Sequence, residues 1–188
     1  MKLKLFFFLF FITSSCVVGQ VKYEKEYRIE ASAVPEKAMV LLKTLALTKK
    51  IKWYKEIGHH RKSIEAKSKQ FRKKISIEFT PSGNLEDIEV TVPWKTIPKK
   101  TRDSISTYFK TTYSKFKIQK VQLQFKTVAD YKAFTNKESI DTYTMSYEIV
   151  LEAKTNTSYK NYEYGFSEKG TIQSKTEIIP SNTDHLEF

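Results

Sequence analysis

Apolar and polar residues alternate with a period of two through most of this chain, and this alternation limits the possible folds more than any other feature. In residues 51–57, for example, Ile51, Trp53 and Ile57 occupy odd-numbered positions, whereas polar residues and a tyrosine occupy the even-numbered positions between them. We call each of these alternating sets a parity of the strand. Successive side chains of a strand point to opposite faces, so the pattern predicts antiparallel strands with one buried and one solvated face. The same pattern recurs in residues 64–66, 75–79, 88–92, 121–125, 145–151, 162–166 and 172–179.

Two segments carry the period of a helix instead. Residues 34–47 place Pro35 where a first helical turn would begin, and residues 98–116 start in the same way with Pro98. Apolar residues in both segments recur at three- and four-residue spacing, which predicts two amphipathic helices, each with one face packed on a sheet. The two stripes comprise Ala38, Leu41, Leu42 and Leu45, and then Ile105, Tyr108, Phe109, Thr112 and Phe116.

The order of elements predicts the α+β class, because single helices alternate with groups of several strands rather than with single strands. A loop spacing also occurs twice. Residues 79–85 and 166–172 both run from a phenylalanine through a glycine to an aliphatic residue at identical offsets. We therefore predict two repeated units, each an amphipathic helix packed on an antiparallel β-sheet, at residues 20–96 and 97–180, followed by a polar tail at 181–188.

The first nineteen residues have the composition of an export signal. Lys2 and Lys4 form a cationic start, residues 5–12 are wholly apolar, and small or polar residues follow. The apolar run is far shorter than the ~20 residues that a membrane-spanning helix needs. We therefore expect residues 1–19 to be a signal peptide and the protein to be exported, either to the periplasm or as a secreted protein.

The position of cleavage has two alternatives. Small side chains before Gln20 suit cleavage there, and Cys16 ends a degenerate lipobox that would instead make a membrane-anchored lipoprotein lipidated on Cys16. Cys16 is the only cysteine of the chain. The mature domain therefore has no disulfides, and an apolar core must stabilise it.

The chain is strongly basic. Its formal net charge is +12, and loss of Lys2 and Lys4 leaves 12 − 2 = +10 for the mature protein. A basic protein attracts anionic partners. Because an export signal removes the protein from the cytoplasm, we expect no nucleic acid, and the candidates are acidic proteins or peptides, anionic glycans and lipid headgroups.

Few residues carry the signature of a catalytic or metal site. His59 and His60 are adjacent in a cationic loop, and His185 lies in the polar tail.

Glu86, Asp87 and Glu89 follow Gly83, but Thr80, Pro81 and Ser82 precede it where an EF-hand loop needs acids. We therefore predict a hairpin with Gly83 at positive φ, no enzyme activity, no metal and no cofactor. For the acids we expect ion pairs with Lys67, Lys69 or Lys74.

The first predicted unit resembles the PepSY-like family, also described as β-lactamase-inhibitor-like domains, which are exported bacterial domains. The resemblance rests on residues 34–36 with their helix, residues 51–55, 75–79 and 83–89, and more weakly on residues 97–98 and 166–172. It implies a small helix layer on a curved antiparallel sheet, and members that bind or inhibit other proteins rather than catalyse. Because the mature chain lacks cysteine bridges, inhibition of β-lactamase itself is not carried over.

Together these features predict an exported, non-enzymatic binding module that recognises a protein or peptide of the cell envelope through its exposed sheet face. The alternative is a basic envelope protein that binds anionic glycan or lipid headgroups. The residues expected to contact the partner are Lys52, Tyr54, Lys67 and Lys74 on the polar parity of the strands, together with Trp94 at the junction of the two predicted units.

Overall fold

The computed structural model of the protein describes residues 20–47, 49–58 and 61–179. Within that part, no helix has the length and apolar character that crossing a membrane requires. Outside it lie the predicted signal peptide, the predicted tail and four residues discussed above, which are Cys16, His59, His60 and His185.

The described chain forms ten strands and three α-helices. The helices are α1 (Glu36–Thr44), α2 (Lys99–Thr112) and α3 (Val128–Thr135). The strands are β1 (Gln20–Lys22), β2 (Glu24–Ile29), β3 (Lys52–Gly58), β4 (Lys62–Gln70), β5 (Lys73–Phe79), β6 (Leu85–Thr91), β7 (Phe116–Phe125), β8 (Ser146–Lys154), β9 (Tyr159–Ser167) and β10 (Ile172–Ile178).

All ten strands belong to one sheet, in the order β1-β10-β9-β8-β7-β6-β5-β4-β3-β2. Neighbours from β2 to β10 are antiparallel, whereas β1 lies parallel to β10. β1 and β2 pair with opposite edges of the sheet, although only Tyr23 separates them in the chain. Because a single residue bridges only about 7 Å, the two edges meet at this point and the sheet curls around an inner face.

The helices pack on the outer face of the curled sheet. The apolar parity of the strands points outward to them, as in β8, where Tyr147, Ile149 and Leu151 are fully buried. Phe109 of α2 lies 5.2 Å from the ring of Tyr164 on β9, measured between ring centroids. The buried apolar side chains of both halves of the chain form one continuous core.

Two glycines at positive φ hold α1 and α2 against the sheet. Gly83 has φ +82, and a Cβ added to it would lie 2.9 Å from Cβ of Pro35, at the start of α1. Gly170 also has φ +82, and its Cβ would lie 3.0 Å from the carbonyl oxygen of Thr101 on α2. Glycine adopts this backbone at no steric cost and permits the close approach. The predicted conformation of Gly83 is therefore confirmed.

The prediction of two repeated helix-on-sheet units was wrong. β6 and β7, which flank α2, are hydrogen-bonded neighbours in the register Ile88↔Phe125 to Thr91↔Gln122. One sheet and one core therefore include strands from both predicted units. The fold is mostly β, with three short helices. Local periodicity detected the strands, α1 and α2, but it contains no information on which strands pair across a helix.

Candidate functional site

The inner face of the curled sheet encloses a cavity of about 1100 Å³. Its walls come from the polar parity of consecutive antiparallel strands, since each strand turns every second side chain inward. Lys22 of β1 reaches the same space from the far edge of the sheet, because closure brings β1 across it. The lining includes Tyr54 of β3, Glu65 and Lys67 of β4, Glu78 of β5, Gln122 of β7 and Glu148 of β8.

Five carboxylates gather on the inner face of β4, β5, β6 and β8. Strand register explains their proximity: Glu78 lies opposite both Glu65 on β4 and Asp87 on β6. Glu89 follows Asp87 on the same face of β6, and Glu148 approaches from β8. We call Glu65, Glu78, Asp87, Glu89 and Glu148 the acid cluster. Glu65, Asp87 and Glu89 are no more than 5% exposed.

Burial and repulsion between carboxylates raise the pKa values of four members of the acid cluster, Glu78, Asp87, Glu89 and Glu148. Burial, together with the charge of Asp87, raises the pKa of Glu78 to about 7, although Arg61 opposes the shift. Burial raises the pKa of Asp87 as well, against the effect of Lys126. Burial and the neighbouring Glu148 raise the pKa of Glu89 well above its usual value.

Glu148 completes this system on β8. Its pKa is raised by burial and by Glu163, whereas Lys120 opposes the shift.

Cations neutralise the acid cluster from its edges. Arg61 places Nη2 at 2.6 Å from a carboxylate oxygen of Glu78 and at 2.6 Å from one of Glu86. Lys126 lies 3.1 Å from Asp87 Oδ2. These pairs anchor the edges of the cluster. In its middle, Asp87 Oδ1 and the side-chain oxygen of Gln122 are buried without a hydrogen-bond partner.

The acid cluster also has the spacing of a metal site. Oxygens of Glu78, Asp87 and Glu89 lie within 4.8 Å of one another, and Ca²⁺ binds oxygen at about 2.3–2.6 Å. However, Arg61 and Lys126 already bind two of these carboxylates, so a divalent cation would have to displace them. Protonation of the carboxylates relieves their mutual repulsion without a metal ion, and we therefore assign no metal to this site.

Four of the five predicted contact residues lie together in this cavity. Lys52, Tyr54, Lys67 and Lys74 all line it, and Lys67 stacks 4.8 Å from the centroid of the Tyr54 ring. Trp94 lies elsewhere, in a short 3-10 turn before α2, where it is half-buried and packs against the core. The structure thus separates Trp94 from the other four, whose role in binding remains a prediction.

The ion pairs of the acidic segment after Gly83 differ from the prediction. We expected its acids to pair with Lys67, Lys69 or Lys74, and Asp87 and Glu89 have other partners. Asp87 pairs with Lys126, whereas Glu89 accepts a hydrogen bond from Gln122. Lys67 instead contacts Glu65 at 2.9 Å and also pairs with Glu26. The reason is register, because β7 lies directly beside β6 and supplies the partners.

Sequence reasoning missed most of the acid cluster. Only Asp87 and Glu89 were singled out, because they are close together in the chain. Glu65, Glu78 and Glu148 lie on three other strands, each on the inward parity. That parity was readable from the alternation, but strand order was needed to show that the three would meet.

No protein-family model matches the chain, and no curated protein matches it in sequence. Solved structures do share its fold. A protein described as periplasmic from Bacteroides eggerthii has a TM-score of 0.52 at 12% identity, covering 80% of this chain and 93% of that one. A DUF2874 family protein from Bacteroides ovatus has a TM-score of 0.52 at 10% identity, covering 77% and 87%.

A third solved structure links the fold to the resemblance described above. It is a BLIP-like protein from Bacteroides fragilis, with a TM-score of 0.50 at 14% identity, covering 81% of this chain and 92% of that one. At these identities the comparisons establish the fold and nothing finer. The chain has a BLIP-like fold.

Proposed function

We propose that this protein is an exported, non-enzymatic binding module that holds a segment of another protein in the cavity of its inner face. The observation that carries the proposal is the cavity itself, which is lined by charged groups and Tyr54 on a continuous sheet. A site built on strands presents its side chains in fixed positions. Export is supported by the composition of residues 1–19 and by the fold shared with a protein described as periplasmic.

The charges of the cavity define the segment that would fit. The acid cluster favours a Lys or Arg side chain, since a cation among buried carboxylates stabilises their ionised forms. Around it, Lys52 and Lys74 favour acidic side chains on the same partner. We therefore propose a protein loop or peptide with one basic residue flanked by acids. An anionic glycan or another polyanion has no cationic group to place among the carboxylates of the acid cluster.

Affinity capture from a cell-envelope extract tests this proposal. The processed protein serves as bait beside Tyr54→Ala and Tyr27→Ala. Tyr54 lines the cavity, whereas Tyr27 is an exposed tyrosine of opposite parity on the neighbouring strand β2. We expect wild type and Tyr27→Ala to retain the same protein and Tyr54→Ala to lose it. Equal retention of the captured protein by all three baits would exclude the inner cavity as its binding site.

A further inference from the structure

One end of the cavity carries a dense group of cations at its rim. The β4–β5 hairpin turns at Phe71 and Arg72, and its register places Lys69 opposite Lys74. The segment before β3 lies beside this hairpin, because Ser68 Oγ is 3.2 Å from the carbonyl oxygen of Lys49. We call this surface the basic end. Its cations are Lys49, Lys50, Lys52, Lys69, Arg72, Lys73 and Lys74.

The cations of the basic end have no anionic partners in the part of the chain that the structure describes. Elsewhere on the sheet, Lys67, Arg61 and Lys126 all form ion pairs. Among the described side chains, none of the seven cations has an acidic group within 4.0 Å. Lys73 instead lies over the ring of Phe134 at 5.3 Å. Like charges gathered without counter-charges repel one another. An anionic surface outside the molecule would relieve that repulsion.

The apex of the hairpin exposes an aromatic ring on a backbone that is unfavourable for residues with a Cβ. Phe71 is 73% exposed, so its ring contributes little to the core. Phe71 and Arg72 have φ values of 49 and 63, a left-handed backbone that is unfavourable for residues with a Cβ. Two-residue hairpin turns of this kind favour Asn-Gly. Folding alone therefore gives no reason for a phenylalanine here.

We propose that the basic end docks on a membrane surface that contains anionic lipid. The exposed Phe71 ring enters the boundary between headgroups and acyl chains, and the surrounding cations lie against lipid phosphates. An aromatic residue among cations is the combination that stabilises peripheral attachment, since apolar insertion and electrostatic attraction add. The basic end lies at the rim of the cavity and shares Lys52 and Lys74 with the proposed partner site, but binding to lipid does not require a protein partner.

The position of Phe71 favours a lipid surface over other polyanions. A soluble anionic glycan would use the cations and gain nothing from an exposed phenyl ring. A folded protein partner would need a pocket matched to the apex. A lipid interface accepts a protruding ring without such a pocket, because the acyl chains rearrange around it.

Vesicle binding tests the proposal. The protein is expressed with its own leader in a Cys16→Ser background, which excludes a lipid anchor, and the processed form is mixed with phosphatidylcholine vesicles with or without about 30% phosphatidylglycerol. We expect co-sedimentation only with the anionic vesicles, and its loss in about 0.5 M NaCl. Binding to neutral vesicles, or binding that resists salt, would overturn the proposal.

Variants then separate insertion from simple charge attraction. Phe71→Ser should weaken partitioning about tenfold, and Arg72→Gln with Lys74→Gln should weaken it about thirtyfold. The matched controls are Tyr27→Ser and the pair Lys100→Gln with Lys110→Gln on α2, which remove an exposed aromatic residue and two exposed charges from other surfaces. Equal losses in the controls would contradict the proposed site.

A spectroscopic variant keeps the test independent of folding defects. Phe71→Trp places an indole at the apex, and its emission should shift to shorter wavelength when anionic vesicles are added. The same shift with soluble dextran sulfate would identify a polyanion site instead. No shift with vesicles that bind the protein would show that the apex stays in water, and docking through Phe71 would be wrong.

Discussion

Gln122 on β7 donates a hydrogen bond from its side-chain amide to the carboxylate of Glu89 on β6, with 2.5 Å between Nε2 and Oε2. Both side chains are at most 5% exposed. This contact joins the acid cluster to the strand that follows α2, and so couples the two halves of the chain through the floor of the cavity. A buried hydrogen bond to a carboxyl group is costly to lose, because the remaining group stays desolvated without a hydrogen-bond partner.

Removal of this donor should destabilise the protein. We expect Gln122→Ala to lower the free energy of unfolding by about 1–3 kcal/mol, since it leaves Glu89 buried without its amide partner. Denaturant unfolding monitored by circular dichroism measures the change. Gln119→Ala is the matched control, because Gln119 lies in the same strand and is exposed. A loss for Gln122→Ala no larger than that of Gln119→Ala would show that the contact contributes nothing.

The acid cluster should make the fold more stable in mild acid than in mild base. Carboxyl pKa values raised by folding mean that the folded chain binds protons more tightly than the unfolded chain does. The stabilisation is complete below the ordinary glutamate value of 4.5 and is lost as the pH rises through about 7 for Glu78. A shift of this size corresponds to about 3 kcal/mol for that one group.

Unfolding free energies at about pH 5 and about pH 8 measure this dependence. Glu89→Gln removes one proton-binding group while keeping an oxygen that can accept from Gln122. We expect Glu89→Gln to be more stable than wild type at the higher pH and to depend less on pH. Glu30→Gln, at an exposed position, serves as the control. Wild-type stability that rises from pH 5 to pH 8 would contradict the assignment.

The turn at Gly83 should tolerate no side chain. Gly83→Ala forces a Cβ into a left-handed backbone and against Pro35 at 2.9 Å, so we expect a loss of about 2–3 kcal/mol. Thermal unfolding measures it. Pro81→Ala, at an exposed position of the same turn, should change stability by less than about 0.5 kcal/mol. Similar losses for both variants would mean that packing of the turn on α1 is not the cause.

Sequence patterns predicted the local elements of this fold well. The helical stripes correspond to α1 and α2, where Ala38, Leu42, Ile105 and Phe109 are buried as expected. Phe116 instead begins β7, because α2 ends at Thr112 and the next apolar residues fall on strand parity. Short-range periodicity is a property of neighbouring residues, and the sequence displays it directly.

The features that form the cavity depend on contacts between distant residues. The parallel pairing of β1 with β10 and the antiparallel pairing of β6 with β7 produce one curled sheet instead of two units. The glycine turns at Gly83 and Gly170 do have the same backbone conformation, which explains why their spacing looked like a duplication. A shared turn motif reflects a shared way of placing a helix on a sheet, and it does not specify separate sheets.

Protonation should also control binding if a basic side chain enters the acid cluster. A cation favours the ionised carboxylates, so binding would release protons and would strengthen as the pH rises through the range in which Glu78 titrates, about 7. Once a partner is captured, its dissociation constant measured between about pH 6 and pH 8 checks this dependence. Tighter binding at the lower pH would exclude a basic residue at the acid cluster.

Site-specific photocrosslinking in living cells tests the central claim most directly. A photoreactive phenylalanine analogue replaces Tyr54 inside the cavity and, in a second strain, Tyr27 on the opposite face of the neighbouring strand. We expect irradiation to join the Tyr54 position to a second protein and to leave the Tyr27 position uncrosslinked. Crosslinks to a protein from Tyr27 alone, or none from Tyr54, would contradict the proposal that the inner cavity holds a protein partner.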